Sequence, residues 1–427
     1  FIKYYMNIGI IGSGAREHSI CYKLKQSTKV KKLYCIPGNA GTAEICENIK
    51  VSLSNFDELY KLVILKKIDL LIVGPEIPLV NGITDYFENK NIKVFGPNKL
   101  ASQLEGSKAF MKKICEEFLI PSAKFKEINN YKEIENALKD FNLPIVVKSD
   151  GLAAGKGVTI CNSKQEAARD IKNILKGKFK TSKKVILEEF LDGEEVSYFV
   201  ITDGKNYIPI GNAQDYKRIG ENDSGPNTGG MGAYSPTTLI NDEIDLKIRK
   251  KIIEPTIRAM KEKGFPYKGI LYAGLMIKNS EPKLIEYNIR FGDPECQVLM
   301  MRLKSDLLEI ILSTLNNKLD KINIEWIKDY CITVVAASKG YPKNFEIKKE
   351  IKKIREIKQD SSQQLFHAST IKDENGKIFS NGGRVLSSTV LNSSLKEARN
   401  KALKILDNIE WENKYYRRDI GHKVIKK

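Results

Sequence analysis

The chain has 427 residues, 41% of them apolar, with 71 Lys+Arg against 53 Asp+Glu and a formal net charge of +18; this length and apolar content imply two to four domains with large cores. No run approaches the roughly 20 apolar residues of a membrane-spanning helix, and the opening FIKYYMNIGII is too short before its glycine for a secretory signal. The lysines are dispersed rather than gathered into a stripe, so a cytoplasmic protein handling anionic metabolites is expected, with no nucleic acid and no membrane as partner.

Met6 stands directly before the first strand pattern, Asn7 to Ile11, so residues 1–5 are expected to lie upstream of the fold. The strand leads into GSGAREH (12–18) and an amphipathic helix. Strand patterns recur at Lys32 to Ile36, Leu70 to Val73 and Val94 to Phe95, with a helical segment at Asp57 to Lys67. This alternation predicts a doubly wound parallel sheet over residues 1–104. PGNAGTA (37–43) and GPEIPL (74–79) then fall at the carboxyl ends of strands, the edge where such sheets bind ligands.

GSGAREH suggests a dinucleotide fingerprint but fails it. Glu17 occupies the third glycine position, and the second strand ends in Pro37-Gly38 where an acid for a ribose is needed. What remains is a glycine turn at a helix start, whose free N–H groups favour a phosphate, with Arg16 able to add a bidentate contact. A tight turn without ligand is the plain alternative.

Ser107 is a plausible cap for a helix with apolar positions Phe110, Met111, Ile114, Cys115, Phe118 and Leu119, with Lys108 in its first turn. Pro144 to Ile160, PIVVKSDGLAAGKGVTI, carries Lys148 on a strand into a glycine loop, Gly151 to Gly157, that includes Gly155 and Lys156. The spacing is not that of a phosphate-binding P-loop, and the loop returns into a strand. Such a flap can fold backbone donors over phosphates, with Lys148 and Lys156 adding charge from two sides, or it can be an ordinary flexible hairpin. The strand, loop, strand Val158 to Cys161, helix near Lys164 to Leu175 and strand Val185 to Glu189 read as a βαβ-like unit.

Further on come AQDYKR with Asp215, Lys217 and Arg218, a glycine-rich loop over Gly220 to Tyr234, a long helix near Asp242 to Lys263, and strands Ile270 to Ile277 and Lys283 to Asn288. An acid amid bases suits an amine-bearing zwitterion, although turn chemistry explains the glycines almost as well. In KLIEYNIRFGDPE (283–295) a period of two places Glu286 and Asn288 on one face, a pair of hard oxygen ligands suited to Mg²⁺. A half-exposed strand with a solvated polar face is the competing reading. From Tyr330 the tail returns to short strands, a glycine turn at 381–383 and a helix near Leu395 to Ile409. Seven cysteines lack any CxxC and total an odd number, reading as reduced core thiols, and three distant histidines show no zinc spacing.

Together GSGAREH, PGNAGTA, VGPEIPLV, QLEGSKAF, KSDGLAAGKGV, EEFLDGEE, GPNTGGMGAYSP, LYAGLMI, NIRFGDPE, KSDLLE, NGGRVL and RRDIG closely resemble one family nearly end to end. It is the phosphoribosylamine-glycine ligase (glycinamide ribonucleotide synthetase) family of the ATP-grasp superfamily. The resemblance implies an N-terminal Rossmann-like domain at 1–104, a central ATP-grasp domain at 105–328 with a flap subdomain near 122–192, and a small C-terminal α+β domain at 329–427. It implies ligation of glycine to 5-phosphoribosylamine with ATP as cosubstrate and Mg²⁺ or Mn²⁺ as cofactor, in purine biosynthesis. It leaves open a transient contact with the upstream amidotransferase, and no fused second enzyme is expected.

Carried over position by position, the resemblance makes Lys108 and Lys148 phosphate-binding lysines and Gly151, Gly155, Lys156 and Gly157 parts of the flap. It gives Glu188, Glu189 and Leu191 to the adenine-binding hinge, Glu195 to the ribose, and Glu286 and Asn288 to the metal. Arg290 steadies transferring charge and Asp215 meets the glycine amine. Lys217, Gly12, Gly14, Arg16, Glu17, Asn39, Gly41, Gly292 and Asp293, with Arg290 and Asp215, form the substrate-binding set. One departure is Tyr216, where the family commonly has His.

Overall fold

A computed structural model describes residues 5–152, 157–179 and 184–425. The first sheet is wholly parallel, ordered Glu47–Asn48, Val30–Pro37, Met6–Gly12, Leu70–Val73, Lys93–Phe95. Its central strands are continuous apolar runs because helices cover both faces. The chain reverses direction across the sheet at Met6–Gly12, so GSGAREH and GPEIPL meet at the switch point, on the carboxyl edge.

The helix Lys108–Glu117 starts where expected, with Ser107 Oγ accepting from the Phe110 N–H. It ends earlier than its apolar spacing suggests. Leu119 adopts φ 55° and is 87% exposed, so the stripe stops at Cys115 and Phe118, and the chain turns before Leu119 can join it. Lys112, on the buried face of this helix, is fully inaccessible.

The segment 125–189 forms a four-stranded antiparallel sheet ordered Phe125–Ile128, Val185–Glu189, Ile145–Ser149, Val158–Cys161. The strands flanking Ile145–Ser149 run parallel to each other and are joined by the helix Lys164–Leu175, so the βαβ-like unit is split by an inserted antiparallel strand. Lys148 pairs with Val158, so Gly151, Leu152 and Gly157 lie just beyond the paired ends of a hairpin.

An eight-stranded sheet follows, ordered Glu281–Asn288, Lys268–Lys278, Glu194–Asp203, Tyr207–Asp215, Gly232–Ser235, Tyr330–Ala337, Arg384–Asn392, Gln363–His367. The strands of the C-terminal segment therefore continue the same hydrogen-bonded sheet. The long helix contains a π turn, Arg249–Ile253, between Asp242–Ile248 and Glu254–Glu262. Pro255 explains it: without an N–H and with a ring that crowds the preceding turn, proline forces the helix to widen there. Among the described residues no helix is long and apolar enough to cross a membrane.

Candidate active site

A cleft of about 820 Å³ lies where the three sheets converge. Its walls include Arg16, Glu76, Glu105, Lys108, Lys148, Gly151, Gly157, Glu188, Glu189, Leu191, Glu195, Asp215, Lys217, Glu286, Asn288, Arg290, Gly292 and Asp293. Residues separated by more than 270 positions thus share one cavity. Gly155 and Lys156 lie outside the described residues.

On the strand Glu281–Asn288, Tyr287 turns inward, its hydroxyl beside Thr256 Oγ1, while Glu286 and Asn288 face the cleft. The register slips by one residue near Ile285, since Gly274 faces Glu286 but Leu275 faces Leu284. An added Cβ at Gly274 would meet Glu286 Cγ at 3.4 Å, an ordinary contact. Two hard oxygen donors on one cleft wall, beside lysines able to bind phosphate, fit a divalent ion that takes its remaining ligands from phosphates and water.

Lys108 donates to the Gly151 carbonyl at 2.9 Å, tying the start of its helix to the hairpin. Burial lowers its pKa, an effect that Glu286 opposes and Lys148 reinforces. Asp150, which sequence reasoning passed over, accepts from the Ala109 N–H at 3.2 Å and from Ser107 Oγ, fixing the same junction. Lys148 is held by Glu188 at 2.9 Å, and the second Glu188 oxygen lies 3.4 Å from Lys112 Nζ. All three side chains are almost wholly buried. The Glu188 carboxylate is therefore engaged as a lysine counterion, while the residue itself lines the cleft. Glu189 pairs with Lys283 at 3.5 Å, and Leu191 lines the cleft.

Arg290 is clamped by Glu76 at 3.1 Å and Glu105 at 3.0 Å. Burial alone lowers the guanidinium pKa, but the two carboxylates outweigh it and raise the net value. Glu105 also accepts from the Ile289 N–H at 2.8 Å, and burial pushes its carboxyl up to about 7 against the pull of Arg290. Glu76 belongs to the GPEIPL loop and Glu105 to QLEGSKAF, so both acids sat in quoted motifs without a partner to reveal them.

Asp215 and Lys217 flank Tyr216 and point into the cleft, while Tyr216 points away, packed against Arg417 and His422. Lys217 pairs with Glu195 at 2.7 Å, so the residues expected at substrate and ribose contact each other. Burial pushes the Asp215 carboxyl up to about 7; Lys217 opposes this, and Glu295 and Glu195 add to it. Glu295 is buried and accepts from Tyr272 Oη at 2.8 Å and Ser197 Oγ at 3.1 Å. Gly292 leaves space for the Glu295 carboxylate, which a side chain there would strike.

At the other end Arg16 donates to the Phe291 carbonyl at 3.2 Å and Arg384 to the Asp293 carbonyl at 2.7 Å. Burial would raise the Asp293 pKa, but Arg384 and Arg16 hold it below the ordinary range. Arg384 lies just after the glycine turn of NGGRVL, a motif from which sequence reasoning picked no site residue. Gly12, Gly14, Glu17, Asn39 and Gly41 do not line the cleft, although Gly14 lies beside Asp293, which does. Glu17 accepts from the Gly14 N–H at 2.6 Å and from Arg16 Nε at 2.6 Å. The helix start is thus capped by its own carboxylate, and not all its donors are free. Gly12, at φ +128°, permits that close approach of Glu17. Asn39 spends its amide on the Ser13 and His367 carbonyls and its oxygen on the Gly41 and Thr42 N–H groups. His18 and His367, remote in sequence, meet beside Gly41 with ring centres 5.7 Å apart.

Three family models tile the chain: the phosphoribosylglycinamide synthetase N domain over residues 6–105, its ATP-grasp (A) domain over 106–296 and its C domain over 331–423. The chain belongs to the phosphoribosylglycinamide synthetase family. Within this family it is 45% identical over 424 residues to phosphoribosylamine–glycine ligase of Brucella melitensis, with 99% of each chain covered. It is 46% identical over 430 residues to the Haemophilus influenzae protein of the same name, again covering 99% of both. The crystal structure of phosphoribosylamine–glycine ligase from Thermotoga maritima superimposes with a TM-score of 0.84 at 31% identity, covering 97% of this chain and 100% of that one. A biotin carboxylase from Campylobacter jejuni, at 16% identity and TM-score 0.74 over 97% of this chain and 93% of its own, shares the fold. Use of ATP with a divalent metal follows from membership in an ATP-grasp family.

Proposed function

We propose that this chain joins glycine to 5-phosphoribosylamine at the expense of ATP, giving glycinamide ribonucleotide, ADP and phosphate in purine biosynthesis. The observation that carries the reading is the single cleft lined by Lys108, Lys148, Glu286, Asn288, Asp215 and Arg290. Lysines, hard oxygen donors and an acid beside a base share that space, which supports binding of phosphate, metal and a zwitterion together.

A carboxylate is a poor electrophile because an attacking amine would have to expel an oxide. Transfer of the ATP γ-phosphoryl group to a glycine carboxylate oxygen breaks the bond to ADP and creates glycyl phosphate. The phosphoribosylamine nitrogen then attacks the acyl carbon, phosphate departs and the nitrogen loses a proton. Lys108 and Lys148 bind the triphosphate, and the Gly151 to Gly157 segment, with Gly155 and Lys156, would act as a flap that excludes water. Glu188, Glu189 and Leu191 hold the adenine end, with Glu195 toward the ribose. Glu286 and Asn288 would hold Mg²⁺ or Mn²⁺, which when bound neutralises phosphate charge. Asp215 receives the glycine ammonium with Lys217 nearby, and Arg290, immobilised by Glu76 and Glu105, faces the carboxylate and the transferring phosphoryl. Arg16, Gly292, Asp293 and Arg384 face the phosphoribosylamine side, with Gly12, Gly14, Glu17, Asn39 and Gly41 shaping the loops behind.

ADP release measured with each substrate omitted tests this. Release should require glycine, and hydroxylamine should capture the activated glycyl group before the amine substrate is added. ADP formed at the same rate without glycine, or with bicarbonate in its place, would overturn the assignment.

A further inference from the structure

Three cysteines spaced without any motif, at positions 21, 35 and 46, converge behind the N-terminal sheet. Cys21 comes from the helix Ala15–Leu24, Cys35 from the strand Val30–Pro37, and Cys46 follows the turn Thr42–Glu44. Their sulfur atoms all lie within 4.8 Å of one another, and Cys46 Sγ is 3.9 Å from Cys21 Sγ. Cys21 and Cys35 are wholly buried, while Cys46 is half-buried and closes the group on its outer side. None of the three lines the cleft, and the proposed reaction uses none of them.

Thiolates around one tetrahedral zinc, at about 2.3 Å from the metal, stand about 3.8 Å apart. The Cys21–Cys46 separation already matches that spacing, and the third sulfur needs to move by about 1 Å at most to reach it. Carbonyl oxygens flank the group without filling it: Cys46 Sγ lies 3.1 Å from the Thr42 carbonyl and Cys35 Sγ 3.5 Å from that of Gly12. We propose that Cys21, Cys35 and Cys46 form a trithiolate site for a thiophilic divalent ion of the Zn²⁺ class, with water in the fourth position. Soft ligands of this kind discriminate against Mg²⁺, so the site is chemically distinct from Glu286 and Asn288. An ion here would tie both ends of the 37–46 loop to the first helix and release protons from the thiols.

The experiment uses the full chain, reduced and stripped of metal, titrated with Cd²⁺ as probe. One equivalent should bind with a thiolate-to-metal charge-transfer absorption, and bound metal should protect Cys46 from alkylation. The Glu286→Gln variant should retain that equivalent, which separates this site from the nucleotide metal. Cys46→Ser, chosen because its side chain is half-exposed, should weaken binding on the order of 10²-fold or more. Cys115→Ala, a buried thiol outside the cluster, should leave it unchanged. Absence of the charge-transfer band in the wild type, unaltered affinity in Cys46→Ser, or conversion of Cys21 and Cys46 to a disulfide with no ion bound would each overturn the proposal.

Discussion

Replacing Glu188 with Gln takes a buried carboxylate from between two buried ammonium groups while keeping its shape. At an effective dielectric near 20, the attraction is about 6 kcal/mol toward Lys148 at 2.9 Å and about 5 kcal/mol toward Lys112 at 3.4 Å. Desolvation and the repulsion between the lysines cancel much of this, and breaking a buried pair from one side typically costs about 3–5 kcal/mol. Because Glu188 and Lys148 sit on adjacent strands, the loss should appear as local opening of that sheet. Hydrogen exchange at the Val147 and Leu187 amides should accelerate by about 10² to 10³-fold, up to the limit set by global unfolding. The sign with pH follows from Lys112, whose pKa burial already lowers against the pull of Glu188. Without Glu188 that lysine sheds its proton more readily, so the penalty should be larger near about pH 6 than near about pH 9. Exchange within about threefold of wild type at both values would refute the counterion argument.

Glu286→Ala should reduce metal-dependent turnover on the order of 10² to 10³-fold with the melting curve retained, and near-normal turnover would reject the metal assignment. With the Asp215 carboxyl at about 7, kcat/KM for glycine should fall about tenfold per unit as pH drops below that value and level off above it, a slope that Asp215→Asn should abolish. Stability of the free protein should move the other way: a raised carboxyl pKa favours the neutral form, so stability is lost as pH rises toward 7, and glycine should restore it in thermal melts. Arg290→Lys should lower kcat on the order of 10²-fold despite its conserved charge, because an ammonium cannot span Glu76 and Glu105 together. Full activity in that variant would remove Arg290 from the reaction.

Local patterns made much of the fold legible. Leu70–Val73, Val158–Cys161, Lys164–Leu175 and Val185–Glu189 were read within a residue, because apolar periodicity and flanking breakers act over short range. Glu286 and Asn288 were visible for the same reason, since alternation along one strand sets their facing. The counterions were not. Lys148 meets Glu188 across 40 positions and Arg290 meets Glu105 across 185, so nothing near either basic residue signals its partner. Lys112 was given no role from the sequence, and only the fold brings Phe125, Ala123 and Glu188 over it. The cysteine and histidine clusters were invisible for the same reason: spacing along the chain says nothing about residues that only the wrapped sheet brings together.

The eight-stranded sheet makes the last hundred residues an obligate splint for the catalytic half. Strand Gly232–Ser235 is buried along its whole length and takes its hydrogen bonds from Tyr207–Asp215 on one side and Tyr330–Ala337 on the other. A chain cut after residue 328 would leave that margin bare and apolar, a ready template for self-stacking into aggregates. The nucleotide-handling portion should therefore be recoverable from cells only when its own tail, supplied in cis or as a separate fragment, occupies that border.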